Sequence, residues 1–105
     1  MATDRTEKSE IKRMGAKAQK NSGRSAYAKG DAILGDFLVD VKEAKQSFTL
    51  NRNVWGKVST DAIKHHKEPT LMVALGAGQE IVRLYVVGEE MFRQLYEAYE
   101  EKYNV

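Results

Sequence analysis

Residues 29–48, KGDAILGDFLVDVKEAKQSF, decide the fold of this chain. Two short runs with strand composition, 31–34 and 37–42, are separated by Gly35-Asp36, a pair typical of tight turns. The stretch therefore predicts a β-hairpin. Because side chains alternate along a strand, the second strand presents one apolar face and one face that carries Asp40 and Lys42.

The polar residues of this hairpin raise a chemical question. Asp40 and Lys42 must project on the same side of their strand, and Asp31 begins the neighbouring strand, about 5 Å away. Two converging carboxylates repel each other and resist burial unless a cation joins them. Mg²⁺ commonly takes one or two carboxylates and keeps several waters, and a nearby lysine can orient a water or steady charge on a phosphate. An open sheet face with solvated side chains explains the same spacing, so spacing alone does not establish an enzyme.

The remaining elements are predicted from periodicity. We expect a short charged helix over 4–14, a loop without periodicity over 15–30, and a helix over roughly 52–66. Strands follow at 70–75 and 80–87, and the clearest amphipathic helix covers 89–103. The stripe of Tyr96, Tyr99 and Tyr103 on that helix predicts core packing or a subunit interface. The order of elements indicates a single mixed α/β domain over residues 1–105.

Composition and charge narrow the class of protein. The chain has no cysteine, so it forms no disulfide and no zinc–thiolate site. It has no apolar run of the roughly 20 residues that a membrane helix needs and no apolar signal segment at its start, and we expect a cytoplasmic protein. Residues 1–30 carry a net charge of +5, whereas the remaining 75 carry −3. A polyanion-binding face and a solvated basic tail both explain this asymmetry.

The longer stretch 19–58 carries a resemblance to a known family. It combines a Q-x-x-SG segment, a KGD, an acid-x-Lys strand, a serine and a helix that opens with a W-x-K-V pattern. The matching positions are Gln19, Ser22-Gly23, Lys29-Gly30-Asp31, Asp40-Val41-Lys42, Ser47 and Trp55-Gly56-Lys57-Val58. In this order they resemble the small bacteriophage Holliday-junction resolvases and nucleases of the PD-(D/E)XK superfamily. The resemblance implies a restriction-endonuclease-like αβββαβ core with a mixed sheet, followed here by a C-terminal helix.

The same resemblance implies roles for individual residues. It implies metal ligation by Asp31, Asp40 and the backbone carbonyl of Val41, and a catalytic role for Lys42. The family also carries a glutamate on its first helix, for which Glu7 has the better spacing and Glu10 is the alternative. The predicted catalytic set is therefore Glu7, Asp31, Asp40 and Lys42.

DNA contacts are expected from the basic helix and loop of residues 1–30 and from two positions beyond them. The candidates are Lys17, Lys20, Ser22, Arg24, Lys29, Ser47 and Lys57. Basic side chains bind phosphates, and serine hydroxyls can donate hydrogen bonds to them.

Together these features predict a Mg²⁺-dependent, structure-selective endodeoxyribonuclease that resolves four-way DNA junctions, with Mn²⁺ as an alternative metal. The expected partner is branched or double-stranded DNA, not a membrane. One small domain cuts one strand, so symmetric cleavage predicts a homodimer with an isologous interface. If a phage encodes the chain, the compartment is the host cytoplasm. The alternatives are an inactive DNA-binding protein that retains the nuclease fold and a small interaction protein without a nucleic-acid role.

Overall fold

The computed structural model describes residues 7–13, 15, 17–18 and 31–104. These form a five-stranded mixed sheet with flanking helices and a C-terminal helix, which confirms the predicted α/β class. The elements, in chain order, are α1 (Glu7–Arg13), β1 (Lys17–Ala18), β2 (Asp31–Leu34), β3 (Phe37–Ala44), α2 (Arg52–Lys64), β4 (Glu68–Leu75), β5 (Val82–Val86) and α3 (Glu89–Tyr103).

The strands lie in the sheet in the same order as in the sequence. β1, β2 and β3 form an antiparallel meander, β4 runs parallel to β3, and β5 returns antiparallel to β4. A parallel neighbour requires a crossover connection, and α2 supplies it between β3 and β4. The central strands are therefore β2, β3 and β4.

The hairpin predicted from residues 29–48 is present. β2 has the predicted bounds, and β3 starts at Phe37 as predicted but continues two residues further, to Ala44. Gly35 in the turn has a φ of 59°, a left-handed conformation that glycine adopts without a Cβ clash.

α2 begins and ends at recognisable caps. The side chain of Asn51 accepts a hydrogen bond of 2.9 Å from the backbone N–H of Val54, which satisfies one of the free amides of the first turn. The helix ends at Lys64, two residues before the predicted end, because His65 is the C-cap and His66 has a φ of 56°. Strand boundaries also move: β4 starts at Glu68, and β5 covers only Val82–Val86 after a 3₁₀ turn at Gly78–Glu80.

The sheet separates two apolar clusters. One face packs against α1 and contains Ile11, Ala32, Val39, Val41, Met72 and Ala74; we call it the α1 face. The other packs against α2 and contains Val58, Leu71 and Val73; we call it the α2 face. Residues paired across strands share a face and neighbours along a strand alternate, so the register assigns every strand residue to one of the two.

α3 differs from the other elements in its exposure. Its bounds are those predicted, but none of its side chains is buried. Phe92 and Tyr99 are 59% and 61% exposed, so the expectation that the tyrosine stripe packs in the core of this chain is wrong. Among the described residues, no helix is both long enough and apolar enough to cross a bilayer.

Candidate active site

Asp31 and Asp40 lie directly opposite each other in the hairpin. The register of β2 and β3 pairs the two residues, which places their Cβ atoms about 5 Å apart. Both are buried, with 4% and 9% of their surface exposed. Asp40 pairs on its other side with Leu71, so both carboxylates belong to the α2 face.

Lys42 joins this pair from the same strand. Its Nζ atom lies 3.2 Å from Oδ1 of Asp40, and its side chain is 37% exposed while that of Asp40 is 12% exposed. The contact confirms that Asp40 and Lys42 project on the same side. The site thus sets two acidic side chains and one basic side chain on the same face of the hairpin.

The apolar residues of β3 fix the orientation of these polar ones. Val39 and Val41 are almost fully buried in the α1 face. Because side chains alternate, their burial directs Asp40 and Lys42 to the α2 face. A slip of one residue in the strand pairing would expose both valines, so the burial of the α1 face maintains the geometry of the site.

Glu10 lies on the other side of the sheet. Its carboxylate accepts hydrogen bonds from Arg83 Nε at 2.9 Å and Nη2 at 3.3 Å, and from Arg13 Nε at 3.2 Å. Arg83 pairs with Ala74 of the α1 face. Glu10 is thus separated from Asp31 and Asp40 by the sheet, and the alternative that it is the metal-binding helix acid is wrong in this geometry.

The pKa of Glu10 reflects this environment. Burial by itself raises the pKa, but the hydrogen bonds from Arg83 and Arg13 and the attraction of their charges outweigh it, so the pKa of Glu10 lies below its ordinary value. The hydrogen bond to Glu10 correspondingly raises the pKa of Arg83. The contacts define a structural ion pair that ties α1 to β5.

Glu7 and the backbone carbonyl of Val41 are two further predicted ligands, and both remain predictions. Glu7 lies in the first turn of α1, but its side chain is outside the described part of the structure. α1 packs through Ile11 on the α1 face, opposite the paired carboxylates. The side chain of Val41 is fully buried in that same face, and the ligand predicted there is its backbone carbonyl.

The residues that are described offer two carboxylates at this position. Over 7–13, 15, 17–18 and 31–104, no group of three or more histidine, aspartate or glutamate side chains could hold a metal ion. Asp31 and Asp40 could supply two carboxylate ligands, a number that Mg²⁺ commonly takes from a protein while it keeps several waters.

The structure describes only part of the set of predicted DNA contacts. Ser47 and Lys57 are exposed on the segment after β3 and on α2. Lys17 lies in β1, but its side chain is outside the described part of the structure. The residues wholly outside it are Lys20, Ser22, Arg24 and Lys29.

The two residues that flank the basic segment 19–30 lie close together. Ala18, the last residue of β1, pairs with Ala32, the neighbour of Asp31. The segment itself is outside the described residues; its sequence contains three basic residues and no acidic one.

Sequence reasoning did not identify Arg83. It lies in a predicted strand, 73 residues from Glu10, and no local pattern connects the two positions. The sequence also did not indicate that Glu10 is buried, because every turn of its short helix carries charged residues.

Comparisons with protein-family models, with curated proteins and with solved structures found no match for this chain. The interpretation of the site therefore depends on its own residues: two facing carboxylates, one lysine and the adjoining basic segment.

Proposed function

We propose that this protein is a divalent-metal-dependent DNA endonuclease with a restriction-endonuclease-like core, and that its substrates are branched DNAs such as four-way junctions. The observation that carries the proposal is the pairing of Asp31 with Asp40, with Lys42 on the same sheet face. The proposal also includes the carbonyl of Val41 as a further ligand; Glu7 is left out, because α1 packs on the opposite face of the sheet.

The facing carboxylates support a cation site on energetic grounds. Like charges directly opposite on neighbouring strands destabilise a sheet, and burial increases the cost. Lys42 neutralises only one of the two charges. A divalent ion between Asp31 and Asp40 would offset the remaining repulsion, and carboxylate oxygens are the ligands that Mg²⁺ and Mn²⁺ accept.

The chemistry of the site suits hydrolysis of a phosphodiester. What a Mg²⁺ ion supplies at such a pair is Lewis-acid stabilisation of the charge that develops on the scissile phosphate. Asp31 and Asp40 hold that position on a rigid hairpin. The ammonium group of Lys42, 3.2 Å from Asp40, lies where it can donate to the phosphate or orient the attacking water.

The basic segment 19–30 supports DNA as the substrate. The sequence of this segment contains three basic residues, it joins Ala18 to Asp31 on two paired strands, and Lys57 and Ser47 are exposed. Contacts between basic side chains and phosphates make binding weaken as salt concentration rises. We therefore expect salt-sensitive DNA binding at the end of the molecule that also carries the carboxylates.

A nicking assay tests the proposal. Wild type, Asp40→Asn and Asp36→Asn are incubated with four-way junction, duplex and single-stranded DNA, each with Mg²⁺, Mn²⁺ or a chelator. Wild type cleaves only with metal, and Asp40→Asn reduces cleavage at least about 100-fold because it removes one anionic ligand. Asp36 is exposed in the turn of the same hairpin, so Asp36→Asn is the matched control and cleaves normally.

The outcomes separate the candidate functions. Normal cleavage by Asp40→Asn would contradict the assignment of the site. Salt-sensitive junction binding by wild type, without nicking in either metal, would favour the inactive DNA-binding protein. The contact between Lys42 and Asp40 is the observation in favour of that second candidate, because it already neutralises one carboxylate without metal.

A further inference from the structure

The described part of the chain leaves the apolar stripe of α3 largely uncovered. Its members occur at i, i+3, i+4, i+7 and i+11, so they lie along one side of the helix. They are Phe92, Leu95, Tyr96, Tyr99 and Tyr103, and they are between 47% and 61% exposed. Their rings contact one another, with Phe92 stacked on Tyr96 and Tyr99 against Tyr103, and the contacts form a continuous apolar surface.

A groove on the α1 face continues this surface. α1 covers one end of that face, and at the other end Leu34, Phe37, Thr70, Tyr85 and Val87 line a groove whose rim is Leu95 of α3. The groove walls are apolar, and the hydroxyl of Thr70, one of the lining residues, is buried beneath them.

We propose that this surface is the interface of an isologous homodimer, in which α3 packs antiparallel against α3 of a second copy. The tyrosine-bearing half of each helix covers the groove of the other copy. Because Leu95 belongs to both the stripe and the groove, the two surfaces are contiguous. A single two-fold axis then brings both into contact at once, and each copy carries both complementary parts.

The exposed area is sufficient for a dimer. Five large side chains, each about half exposed, present roughly 500 Å² per copy. The residues that line the groove bring this towards the roughly 800 Å² per partner of a standard interface. An apolar patch of this extent is uncommon on a protein that stays monomeric.

Charge argues against two other occupants. The rest of α3 carries five glutamates against Arg93 and Lys102, so the helix has a net charge of −3. An anionic lipid surface or a nucleic acid would be repelled by this helix. A second copy carries the same net charge, but the glutamates lie outside the stripe, so its aromatic side chains can pack on those of the first copy.

The inference does not depend on nuclease activity. It stands on α3 and the groove, and it can be tested without DNA or metal. A dimer would place two candidate sites in one particle, which the cleavage of a junction at two strands requires.

Sedimentation equilibrium of the full chain over a wide concentration range tests the interface. We expect a reversible wild-type dimer, and an increase in Kd of at least about 30-fold for Tyr99→Glu, because the variant places a charge in the centre of the stripe. Ala98→Glu adds the same charge at the next residue, which is exposed on another side of α3, and should leave Kd unchanged. Far-ultraviolet circular dichroism verifies that both variants are folded.

A second variant tests the groove. Leu34→Glu places a charge among the apolar groove walls, and we expect it to weaken the dimer at least about tenfold. A wild-type chain that stays monomeric throughout, or equal effects of Tyr99→Glu and Ala98→Glu, would overturn the interface. A Leu34→Glu dimer as tight as wild type would overturn the seating of a tyrosine in the groove.

Discussion

On the α1 face, the buried carboxylate of Glu10 is held by two guanidinium groups, those of Arg83 and Arg13. On the α2 face, the buried carboxylate of Asp31 lies opposite a second carboxylate, that of Asp40. The two faces of the sheet therefore differ in the neighbours that they place beside a buried carboxylate. One face sets two guanidinium groups around a single acid, and the other sets one acid opposite another, with Lys42 beside Asp40.

The difference separates a structural acid from a candidate functional one. A buried acid that is surrounded by matched donors stabilises the fold and has no capacity left for a ligand. A pair of facing acids with a single lysine is a poor choice for stability, and it retains capacity for a cation. The comparison predicts that neutralising substitutions on the two faces change stability with opposite signs.

The largest effect is expected on the α1 face. Glu10→Gln removes the charge that Arg83 and Arg13 bind, and we expect it to lower the free energy of unfolding by about 1.5–3 kcal/mol. Urea unfolding measures the change. Glu97→Gln, an exposed glutamate of α3, is the control and should change stability by less than about 0.5 kcal/mol. Equal stabilities for the two variants would contradict the structural role of Glu10.

The second prediction concerns the pH dependence of the free energy of unfolding, and the expected change is no larger than that of Glu10→Gln at neutral pH. Because the pKa of Glu10 is lowered in the folded state, its contribution is complete above the ordinary glutamate pKa of about 4.3 and is lost as the pH falls through the lower, native pKa. The stability difference between wild type and Glu10→Gln should therefore shrink on acidification. Unfolding titrations from neutral pH to pH 2 measure it, and a constant difference over that range would refute the ion pair.

The smallest effect is expected on the α2 face and has the opposite sign. Without divalent metal, Asp31→Asn should raise the free energy of unfolding by about 0.5 kcal/mol, because it removes the repulsion with Asp40. With Mg²⁺ at ten times its Kd, wild type should gain about 1.4 kcal/mol, and Asp31→Asn should not.

Thermal unfolding with and without Mg²⁺ distinguishes these cases, and Asp36→Asn serves as the control that still responds to metal. A metal-free Asp31→Asn protein that is less stable than wild type would mean that the two acids do not oppose each other. The sharp contrast between the faces would then disappear.

The hairpin could be predicted from the sequence because its signals are local. Gly35-Asp36 marks the turn, and the alternation around Val39 and Val41 determines which face Asp40 and Lys42 occupy. Periodicity also gave the bounds of α3. The pairing of Asp31 with Asp40 follows from these local features, since a two-residue turn fixes the register.

Other features depend on contacts between distant parts of the chain. Local composition could not place Glu10 against Arg83, because the pairing needs α1 to cross the α1 face towards β5. It also could not choose between core packing and an interface for the α3 stripe, since the same 3.6-residue period serves both. The boundaries of β5 changed for a similar reason: its length is set by pairing with β4.

The sequence by itself thus determined the hairpin, its turn, the face on which Asp40 and Lys42 project, and the extent of α3. Only the tertiary structure decided that α1 and its Glu10 lie across the sheet from the facing carboxylates, and that α3 leaves its aromatic side uncovered. The physical reason is the distance along the chain over which each interaction acts. Turn geometry and side-chain alternation act over a few residues, whereas burial and ion pairing depend on which distant segments the packed sheet brings together.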